Sequence, residues 1–304
     1  FPGQGSQSLG MLAELGAEHP LVLETFKEAS DALGYDLWAL TQAGPAEKLN
    51  QTDITQPAIL TASIALWRLW LAEGGKQPDF VAGHSLGEYS ALVAAGCLSL
   101  ADAVKLVERR GRLMQEAVPA GQGAMAAILG LDDADVLAAC TDAAQGEVVS
   151  AVNFNSPGQV VIAGAKAAVE RAMELCKAKG AKRALPLPVS VPSHCELMRP
   201  AAERFAESIQ AIDWKMPQIP LVQNVSAAVA NDLDTLKRDL LEQLYKPVRW
   251  VESVQCLAAN GPVELVECGP GKVLVGISKR CAEGITTHNL NTPDAFAAAR
   301  AALA

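Results

Sequence analysis

The sequence predicts an α/β fold in which a parent domain with a parallel sheet carries a smaller inserted α+β subdomain. Two observations predict it. Over the first 119 residues, short apolar runs alternate with longer helical patterns, as expected for strands joined by crossover helices. From about Gly123 the pattern changes to β-α-β-β-α-β over about 70 residues, which is the order of a ferredoxin-like unit.

The composition is compatible with one large domain or two ordinary ones. The chain has 304 residues, of which 50% are hydrophobic and 19% are charged, so a sizeable core is available. The formal net charge of −9, with dispersed acidic residues, argues against nucleic-acid binding, which requires a basic stripe. No uncharged run of 18 residues occurs, so we expect no membrane span.

The parent domain contains several elements with clear boundaries. The run PDFVAGHS (78–85) has the flanks of a buried strand. The stretch SLADAVKLVERRGRLMQEAVP (99–119) begins with a serine cap and closes at a proline, which predicts a helix over 101–117. Beyond the insert we expect a helix within 196–212, and a strand, glycine turn and helix within 262–280.

The insert is predicted to occupy residues 123–192, so that 1–122 and 193–304 form the parent domain. Its strands are predicted from their apolar runs and flanking turns at 123–130, 147–155, 159–165 and 182–190. Its two helices are predicted at 132–144 and 166–180. A cleft between the two units is the default ligand site.

One serine lies between glycines at the end of the first predicted strand. The segment GHSLG (83–87) matches G-x-S-x-G with a strand before it and a helix after it, which is the context of a nucleophile elbow. The helix beginning at Leu86 directs its amide groups at the Ser85 hydroxyl. The motif predicts a serine nucleophile in an α/β-hydrolase-like parent domain. The alternative is a serine N-cap at an ordinary strand–helix turn.

A serine nucleophile needs a base, and the chain has four histidines. The side chain of His84 is expected to point away from the elbow, because it is the immediate neighbour of Ser85. His19 precedes a proline at a predicted loop, and His288 lies in a polar terminal stretch. His194, in PVSVPSHCEL, lies where the insert returns to the parent domain, so it is the candidate base. The alternative is a histidine that enters a helix and is capped by local backbone.

An arginine lies on the apolar face of the predicted helix 101–117. Arg110 shares that face with Ala103, Val107 and Met114, whereas charged residues occupy the opposite face. A cation in apolar surroundings is costly unless an anion meets it. That anion is either a structural carboxylate of this protein or a substrate carboxylate, which a guanidinium holds through two parallel hydrogen bonds.

Motifs for nucleotides and metals are incomplete. GQGSQS (3–8) has serine where G-x-G-x-x-G requires its third glycine, and GPGKV (269–273) lacks the upstream glycine and the Ser/Thr of a phosphate loop. The seven cysteines show no C-x-x-C spacing, which argues against a disulfide framework and a zinc site. Their odd number favours reduced thiols in a cytoplasmic protein.

Several longer motifs are spread over nearly the whole chain. They are GQGSQ (3–7), TQPA (55–58), GHSLGEYSAL (83–92), RGRLMQEAVP (110–119), NFNSPGQVVIAG (153–164), VPSH (191–194), YKPVRW (245–250) and ECGPG (267–271). Together they resemble the motifs of the malonyl-CoA:acyl-carrier-protein transacylases of bacterial fatty-acid synthesis. This many motifs in the family's order are more specific than one elbow.

The resemblance implies a role for each site residue. Ser85 is expected as the nucleophile and His194 as its base, with the backbone carbonyl of Gln243, and not an aspartate, orienting the imidazole. The oxyanion hole is expected to consist of the backbone amides of Gln4 and Leu86. The malonyl site is expected to comprise Arg110, on the free carboxylate, together with Gln56, Asn153 and Met114.

The implied reaction moves a malonyl group from malonyl-CoA to the phosphopantetheine thiol of acyl carrier protein. It follows a ping-pong mechanism through a malonyl-serine ester. No cofactor is implied beyond the phosphopantetheine that the carrier supplies. Malonyl-CoA and acyl carrier protein are the implied partners, without nucleic acid or membrane, and the implied protein is a cytoplasmic monomer.

Three alternatives stay open on the residues alone. A serine hydrolase or thioesterase has the same elbow, although it usually carries Ser, then Asp or Glu, then a late His. An acyltransferase for a branched malonyl unit is compatible with the small Ser193 before the histidine. A carrier-protein docking subunit with an inactive site has no need for Ser85, His194 and Arg110 together.

Overall fold

The computed structural model describes residues 1–189 and 191–304. The elements before the insert are α1 (Ala13–Glu18), α2 (Pro20–Leu33), α3 (Leu37–Ala43), α4 (Ala46–Leu49), α5 (Thr52–Ala72), β1 (Val81–Ala82), α6 (Gly87–Ala94) and α7 (Leu100–Ala117). The insert comprises β2 (Gly123–Leu129), α8 (Asp133–Ala144), β3 (Val149–Ser156), β4 (Gln159–Ala165), α9 (Lys166–Ala178) and β5 (Arg183–Pro186). After a 3-10 turn follow α10 (Arg199–Gln210), β6 (Leu221–Val222), α11 (Leu233–Glu242), α12 (Trp250–Leu257), β7 (Val263–Glu267), α13 (Val273–Ser278), β8 (Ile285–Asn289) and α14 (Pro293–Ala302). Within these residues, no helix combines the length and hydropathy that crossing a bilayer requires.

The insert has the predicted β-α-β-β-α-β order. Its strands form one antiparallel sheet in the order β3-β4-β2-β5, which is the ferredoxin-like arrangement, and α8 and α9 pack on it around a separate apolar core. The last strand is shorter than the predicted 182–190. It ends at Pro186 because Pro186 and Pro188 have no N–H to donate to a neighbouring strand. Ser190, at the end of the predicted strand, lies outside the described residues.

The parent domain contains parallel strands as predicted, but in two separate pairs within the described chain. β1 pairs with β6, and β7 pairs with β8. The second edge of β1 is occupied by Phe1, whose amino group donates to Ala82 O (2.9 Å) and whose carbonyl accepts from His84 N (3.0 Å). The division into 1–122 with 193–304, and 123–192, stays a prediction.

Two long helices form much of the parent core. α5 is buried along most of its length, and α7 packs against it after a serine cap, in which the Ser99 side chain accepts a first-turn amide at 3.0 Å. Gly111 permits this packing, since a Cβ there would lie 2.6 Å from Thr52 O. Arg110 precedes Gly111 and is therefore also on the buried side of α7.

The insert is joined to the parent domain along its edge strand β3. The amide of Phe154 donates to Val248 O (3.0 Å), and the amide of Val248 donates to Val152 O (2.8 Å). Asn153 pairs with Val248 in this short parallel bridge. The side chains of β3 next to the bridge therefore lie at the boundary of the two units.

Candidate active site

Ser85 lies on a strained turn between β1 and α6. Its φ of 53° is in the left-handed region, which a non-glycine residue adopts only where its surroundings impose it. Gly87 allows the turn, because a Cβ there would collide with the carbonyl of Phe1. The Asn224 side chain holds it, since Oδ1 accepts from Ser85 N (2.8 Å) and Nδ2 donates to Gly83 O (2.7 Å). The backbone of the elbow is thus fixed by an amide side chain.

His194 lies within hydrogen-bond distance of the serine hydroxyl, with Nε2 2.8 Å from Ser85 Oγ. It is 3% exposed, and its main-chain amide donates to Leu244 O (3.0 Å). Its other ring nitrogen, Nδ1, lies 2.6 Å from the main-chain oxygen of Gln243. Because a carbonyl oxygen can only accept, Nδ1 carries the proton and Nε2 presents its lone pair to the serine.

The protonation state of His194 follows from its burial. Burial, and then the positive charge of Arg110, lowers the pKa of His194 to about 3, although the bond to Gln243 O acts in the opposite direction. The imidazole is therefore neutral at pH 7 and able to accept the proton of Ser85. Gln243 follows the last turn of α11, where main-chain oxygens have no helical donor and are free to bind a side chain.

Arg110 places a cation beside the same hydroxyl. It is 1% exposed, and its Nη2 lies 3.4 Å from Ser85 Oγ and 3.0 Å from Gln243 Oε1. Its Nε has no acceptor among the residues that the structure describes. The ring of Tyr89 covers the guanidinium, with its centroid 5.4 Å from Cζ. In the described chain no carboxylate hydrogen-bonds Arg110.

Two main-chain amides beside the elbow are available to an oxyanion. The amide of Ser85 is occupied by Asn224, whereas those of Leu86 and Gln4 have no acceptor within the described residues. Leu86 precedes the first turn of α6, whose amides point toward its N-terminal end. Gln4 lies on the glycine loop, and its side chain donates to Thr52 Oγ1 (3.4 Å). Neither predicted oxyanion donor therefore has a competing acceptor in that part of the chain.

Gln56, Met114 and Asn153 come from three different elements. Gln56 on α5 donates through Nε2 to Met114 Sδ on α7 (3.6 Å), and its Oε1 has no donor among the described residues. Asn153 on β3 has an Oδ1 that lacks a donor in the same part of the chain. Buried amide oxygens without donors are uncommon and suit contacts with a ligand or water. As lining residues of a malonyl site, these three stay predictions.

Two of the other histidines have side-chain partners of their own. His84 bonds through Nε2 to Asn155 Oδ1 (2.7 Å), away from the serine hydroxyl as expected. His288, expected in a polar terminal stretch, instead lies on β8, where the alternation of ITTHN suits a strand. Its Nε2 lies 2.8 Å from Glu264 Oε2. Neither imidazole is hydrogen-bonded to Ser85 Oγ in the described structure.

All seven cysteines are thiols without a disulfide partner, and six of them are buried. Among the residues that the structure describes, no three His, Cys, Asp or Glu side chains are grouped for a metal ion. The groups within hydrogen-bond distance of Ser85 Oγ in the described structure are the imidazole of His194 and the guanidinium of Arg110.

Sequence reasoning does not identify two buried polar residues beside the elbow, Glu88 and Asn224. Glu88 on α6 accepts hydrogen bonds from Asn224 N (2.9 Å), Gln223 Nε2 (3.2 Å) and Gln243 Nε2 (3.0 Å). Its signal is an acidic residue inside the apolar run GEYSALVAAG, the same kind of signal that identifies Arg110. Asn224 has no comparable signal, because it follows the two-residue strand β6.

Comparison with known proteins assigns the chain to a family. A family model described as acyl transferase domain matches residues 1–294. Malonyl CoA-acyl carrier protein transacylase of Salmonella typhimurium is 62% identical over 299 residues, which cover 98% of this chain and 97% of the relative. The chain belongs to the malonyl CoA-acyl carrier protein transacylase family. A transacylase of the same name from Haemophilus influenzae is 58% identical over 297 residues, covering 97% of this chain and 95% of the relative.

Solved structures of transacylases have the same fold. An acyl carrier protein S-malonyltransferase from Vibrio cholerae superposes with a TM-score of 0.95 at 58% identity, covering 98% of this chain and 97% of the other. FabD from Xanthomonas oryzae gives 0.98 at 55% identity, covering 100% and 97%. A malonyl-transacylase in complex with a type II PKS acyl-carrier protein, PlMCAT:AntF, gives 0.98 at 55% identity, covering 99% and 98%. The predicted family resemblance and α/β fold class are confirmed.

Proposed function

We propose that this chain transfers a malonyl group from malonyl-CoA to the phosphopantetheine thiol of an acyl carrier protein in fatty-acid synthesis. The names of its relatives support the reaction, and the relative solved with an acyl-carrier protein supports the acceptor. The observation that carries the proposal is that Ser85 Oγ lies 2.8 Å from a neutral imidazole and 3.4 Å from a buried guanidinium. The imidazole suits a serine nucleophile, and the guanidinium suits an acyl group that ends in a carboxylate.

In the first half-reaction His194 Nε2 removes the proton of Ser85 Oγ as that oxygen attacks the thioester carbonyl of malonyl-CoA. The amides of Leu86 and Gln4 stabilise the oxyanion, and one such donor contributes ~10²–10³ in rate. The carbonyl of Gln243 holds the imidazolium at Nδ1. The imidazolium returns its proton to the CoA sulfur as the C–S bond breaks, which leaves a malonyl ester on Ser85.

The second half-reaction repeats these steps with a different thiol. The phosphopantetheine thiol of the carrier gives its proton to His194 and attacks the ester carbonyl. The ester C–O bond breaks, the proton moves to Ser85 Oγ, and the malonyl thioester leaves on the carrier. Because CoA leaves before the carrier thiol attacks the same carbonyl, ping-pong kinetics are expected.

Arg110 accounts for the choice of acyl group. Its Nε and Nη2 are two parallel N–H donors of the kind that bind a carboxylate bidentately. The free carboxylate of malonyl supplies that acceptor, whereas acetyl leaves the buried guanidinium without an anion. Gln56, Asn153 and Met114 are assigned to the same acyl pocket, since two of them carry buried amide oxygens without donors in the described chain.

The alternatives fit less well. A serine hydrolase or thioesterase usually orients its histidine with Asp or Glu, whereas Nδ1 of His194 faces the main-chain oxygen of Gln243. An inactive docking subunit has no reason to keep the imidazole and the guanidinium at one serine oxygen. An acyltransferase for a branched malonyl unit has the same site. If methylmalonyl-CoA forms the adduct as fast as malonyl-CoA does, this alternative is correct.

The reaction as written uses no cofactor of the protein's own, since the only prosthetic group involved is the carrier's phosphopantetheine. We further propose that the chain acts as a cytoplasmic monomer. Malonyl-CoA and the carrier then reach Ser85 in turn.

Intact mass spectrometry after brief incubation with malonyl-CoA tests the first half-reaction. A malonyl adduct is expected with malonyl-CoA, little or none with acetyl-CoA, and none on the Ser85→Ala protein. Steady release of CoA without an adduct indicates a hydrolase. If the protein forms no adduct and releases no CoA, the proposal is contradicted.

A further inference from the structure

A buried carboxylate lies behind the site, on the side of Gln243 away from Arg110. We propose that Glu88 is a positioning residue that, through the side-chain amide of Gln243, holds the guanidinium of Arg110 where it receives the acyl carboxylate. The inference rests on the proposed function of Ser85 and Arg110. It assigns a second task to Gln243, whose main-chain oxygen already bonds to His194.

The contacts form a continuous chain from Glu88 to Arg110. Glu88 Oε2 accepts from Gln243 Nε2 at 3.0 Å, and Gln243 Oε1 accepts from Arg110 Nη2 at 3.0 Å. Glu88, Gln243 and Arg110 are all buried. One amide therefore separates a buried carboxyl group from a buried guanidinium and is hydrogen-bonded to both.

The direction of that amide is fixed by what surrounds its nitrogen. Gln243 Nε2 also lies 3.1 Å from Ser85 O and 3.2 Å from Asn224 Oδ1, so it faces acceptors only. The main-chain oxygen of Ser85 cannot donate, and Glu88 Oε2 is held as an acceptor by Asn224 N (2.9 Å), so the amide cannot turn its own oxygen to this side. The oxygen consequently faces Arg110 and aligns Nη2 beside Ser85 Oγ.

Glu88 is held firmly enough to serve this purpose. Its Oε2 also accepts from Asn224 N (2.9 Å) and its Oε1 from Gln223 Nε2 (3.2 Å), so that neutral donors surround the carboxylate. The charged groups that act on it are Asp239, at one turn before the end of α11, and Arg110 on α7. Asp239 is itself bonded to Arg238 (3.0 Å). The amide of Gln243 is thus the link between Glu88 and the guanidinium.

The test combines two substitutions and two readouts. Glu88→Gln removes the charge but keeps one oxygen for Asn224 and Gln243, and Gln243→Leu removes the amide but keeps the main-chain oxygen that bonds His194. The first readout is the KM for malonyl-CoA in formation of the malonyl-enzyme, followed by rapid-quench mass spectrometry. The second is the labelling rate of Ser85 by an alkyl fluorophosphonate, which has no carboxylate and needs no guanidinium.

Each variant is expected to raise the KM for malonyl-CoA by about 10-fold, and in Glu88→Gln fluorophosphonate labelling is expected to change by less than about 2-fold. Because Glu88 acts through Gln243, the double variant is expected to be no worse than the poorer single variant. Glu267→Gln is the matched control, since Glu267 is a buried carboxylate that accepts from Val275 N (2.8 Å) near α13. It is expected to leave both readouts unchanged.

Three results overturn the proposal. An unchanged KM for malonyl-CoA in Glu88→Gln shows that the carboxylate has no positioning role. A rise in KM that is matched by an equal fall in the labelling rate shows a merely structural role. Multiplying effects in the double variant show that Glu88 does not act through Gln243. If Gln243→Leu does not fold, the proposal is tested by Glu88→Gln alone, from its KM for malonyl-CoA and the labelling rate of its Ser85. Failure of the proposed function is distinguishable, because then the unaltered protein forms no malonyl adduct while Ser85 is still labelled.

Discussion

The main-chain oxygen of Gln243 lies 2.6 Å from Nδ1 of His194, where a Ser-His-Asp triad has an aspartate side chain. A neutral carbonyl fixes the tautomer and the orientation of the imidazole, but it adds no full negative charge to favour the imidazolium. Burial and Arg110 therefore dominate, and they lower the pKa of His194 to about 3. The pair suits an enzyme whose base must stay neutral beside a permanent cation.

The first prediction concerns the pH dependence of Ser85. Labelling by an alkyl fluorophosphonate is expected to vary by less than about 3-fold between pH 8 and pH 5, because a histidine with a lowered pKa gains no proton in this range. The second-order labelling rate, measured by intact mass, checks it, with Ser85→Ala as the unlabelled control. A fall of about 10-fold centred near pH 6.5 would show an ordinary histidine and contradict the account.

The second prediction concerns acyl selectivity. Arg110→Ala is expected to lower kcat/KM for malonyl-CoA by ~10²–10³ and to raise acetyl transfer relative to malonyl transfer, because the carboxylate loses its charged donors. Arg110→Lys keeps the charge but not the two parallel donors, and we expect an intermediate loss. Competition between the two acyl-CoA substrates gives the ratio directly. If Arg110→Ala keeps the preference for malonyl-CoA over acetyl-CoA, the assignment of Arg110 is wrong.

The third prediction concerns stability. Burial raises the pKa of Glu88 from its ordinary value of 4.5 to about 7. Between these pH values the folded state holds more protons than the unfolded state, so this group lowers the free energy of unfolding as the pH rises. Glu88→Gln has no such titration, so it does not lose this stability. The unfolding free energy of the variant minus that of the unaltered protein is expected to increase by up to about 3 kcal/mol from pH 5 to pH 8.

Urea unfolding of both proteins at the two pH values measures this gain. The lowered pKa of His194 acts in the opposite direction between pH 3 and pH 6.5, but it is common to both proteins and cancels in the comparison. If the unfolding free energies of the two proteins change in parallel with pH, the pKa of Glu88 is not raised in the folded state. A more stable variant with a higher KM for malonyl-CoA would separate positioning from structural support.

The fourth prediction concerns the elbow itself. Asn224→Ala leaves the amide of Ser85 and the carbonyl of Gly83 without their partners, each at a cost of about 1–3 kcal/mol. Because the backbone of the nucleophile loses its support, malonyl loading and fluorophosphonate labelling are expected to fall together. This parallel loss contrasts with the selective defect expected of Glu88→Gln. A normal labelling rate in Asn224→Ala would show that the strained turn holds without the asparagine.

The sequence predicts most of the fold and the reactive groups, because their signals are local. The elbow at Ser85 is a five-residue motif, Arg110 interrupts an apolar helix face, and the insert has a regular alternation of strands and helices. Local signals fail where tertiary contacts decide. The two parallel strand pairs of the parent domain do not join within the described residues. The early end of the last insert strand at Pro186, by contrast, has a local signal in its prolines.

The parts of the site that sequence reasoning misses depend on long-range contacts. Asn224 and Ser85 are 139 residues apart, and the bond between them has no local pattern. The main-chain oxygen of Gln243 came from family resemblance alone, since any residue could supply a carbonyl. Glu88, by contrast, has a local signal in its apolar helix. A search for acidic residues in apolar runs finds it in the same way as Arg110.

The central claim is that Ser85 passes a malonyl group from one thiol to another, and a chase experiment tests it most directly. The malonyl-enzyme is formed with malonyl-CoA, freed of CoA by rapid gel filtration, and divided between buffer and a holo acyl carrier protein. The account predicts that the adduct persists in buffer and that its mass moves to the carrier. Loss of the adduct to free malonate at the same rate in both samples would contradict it.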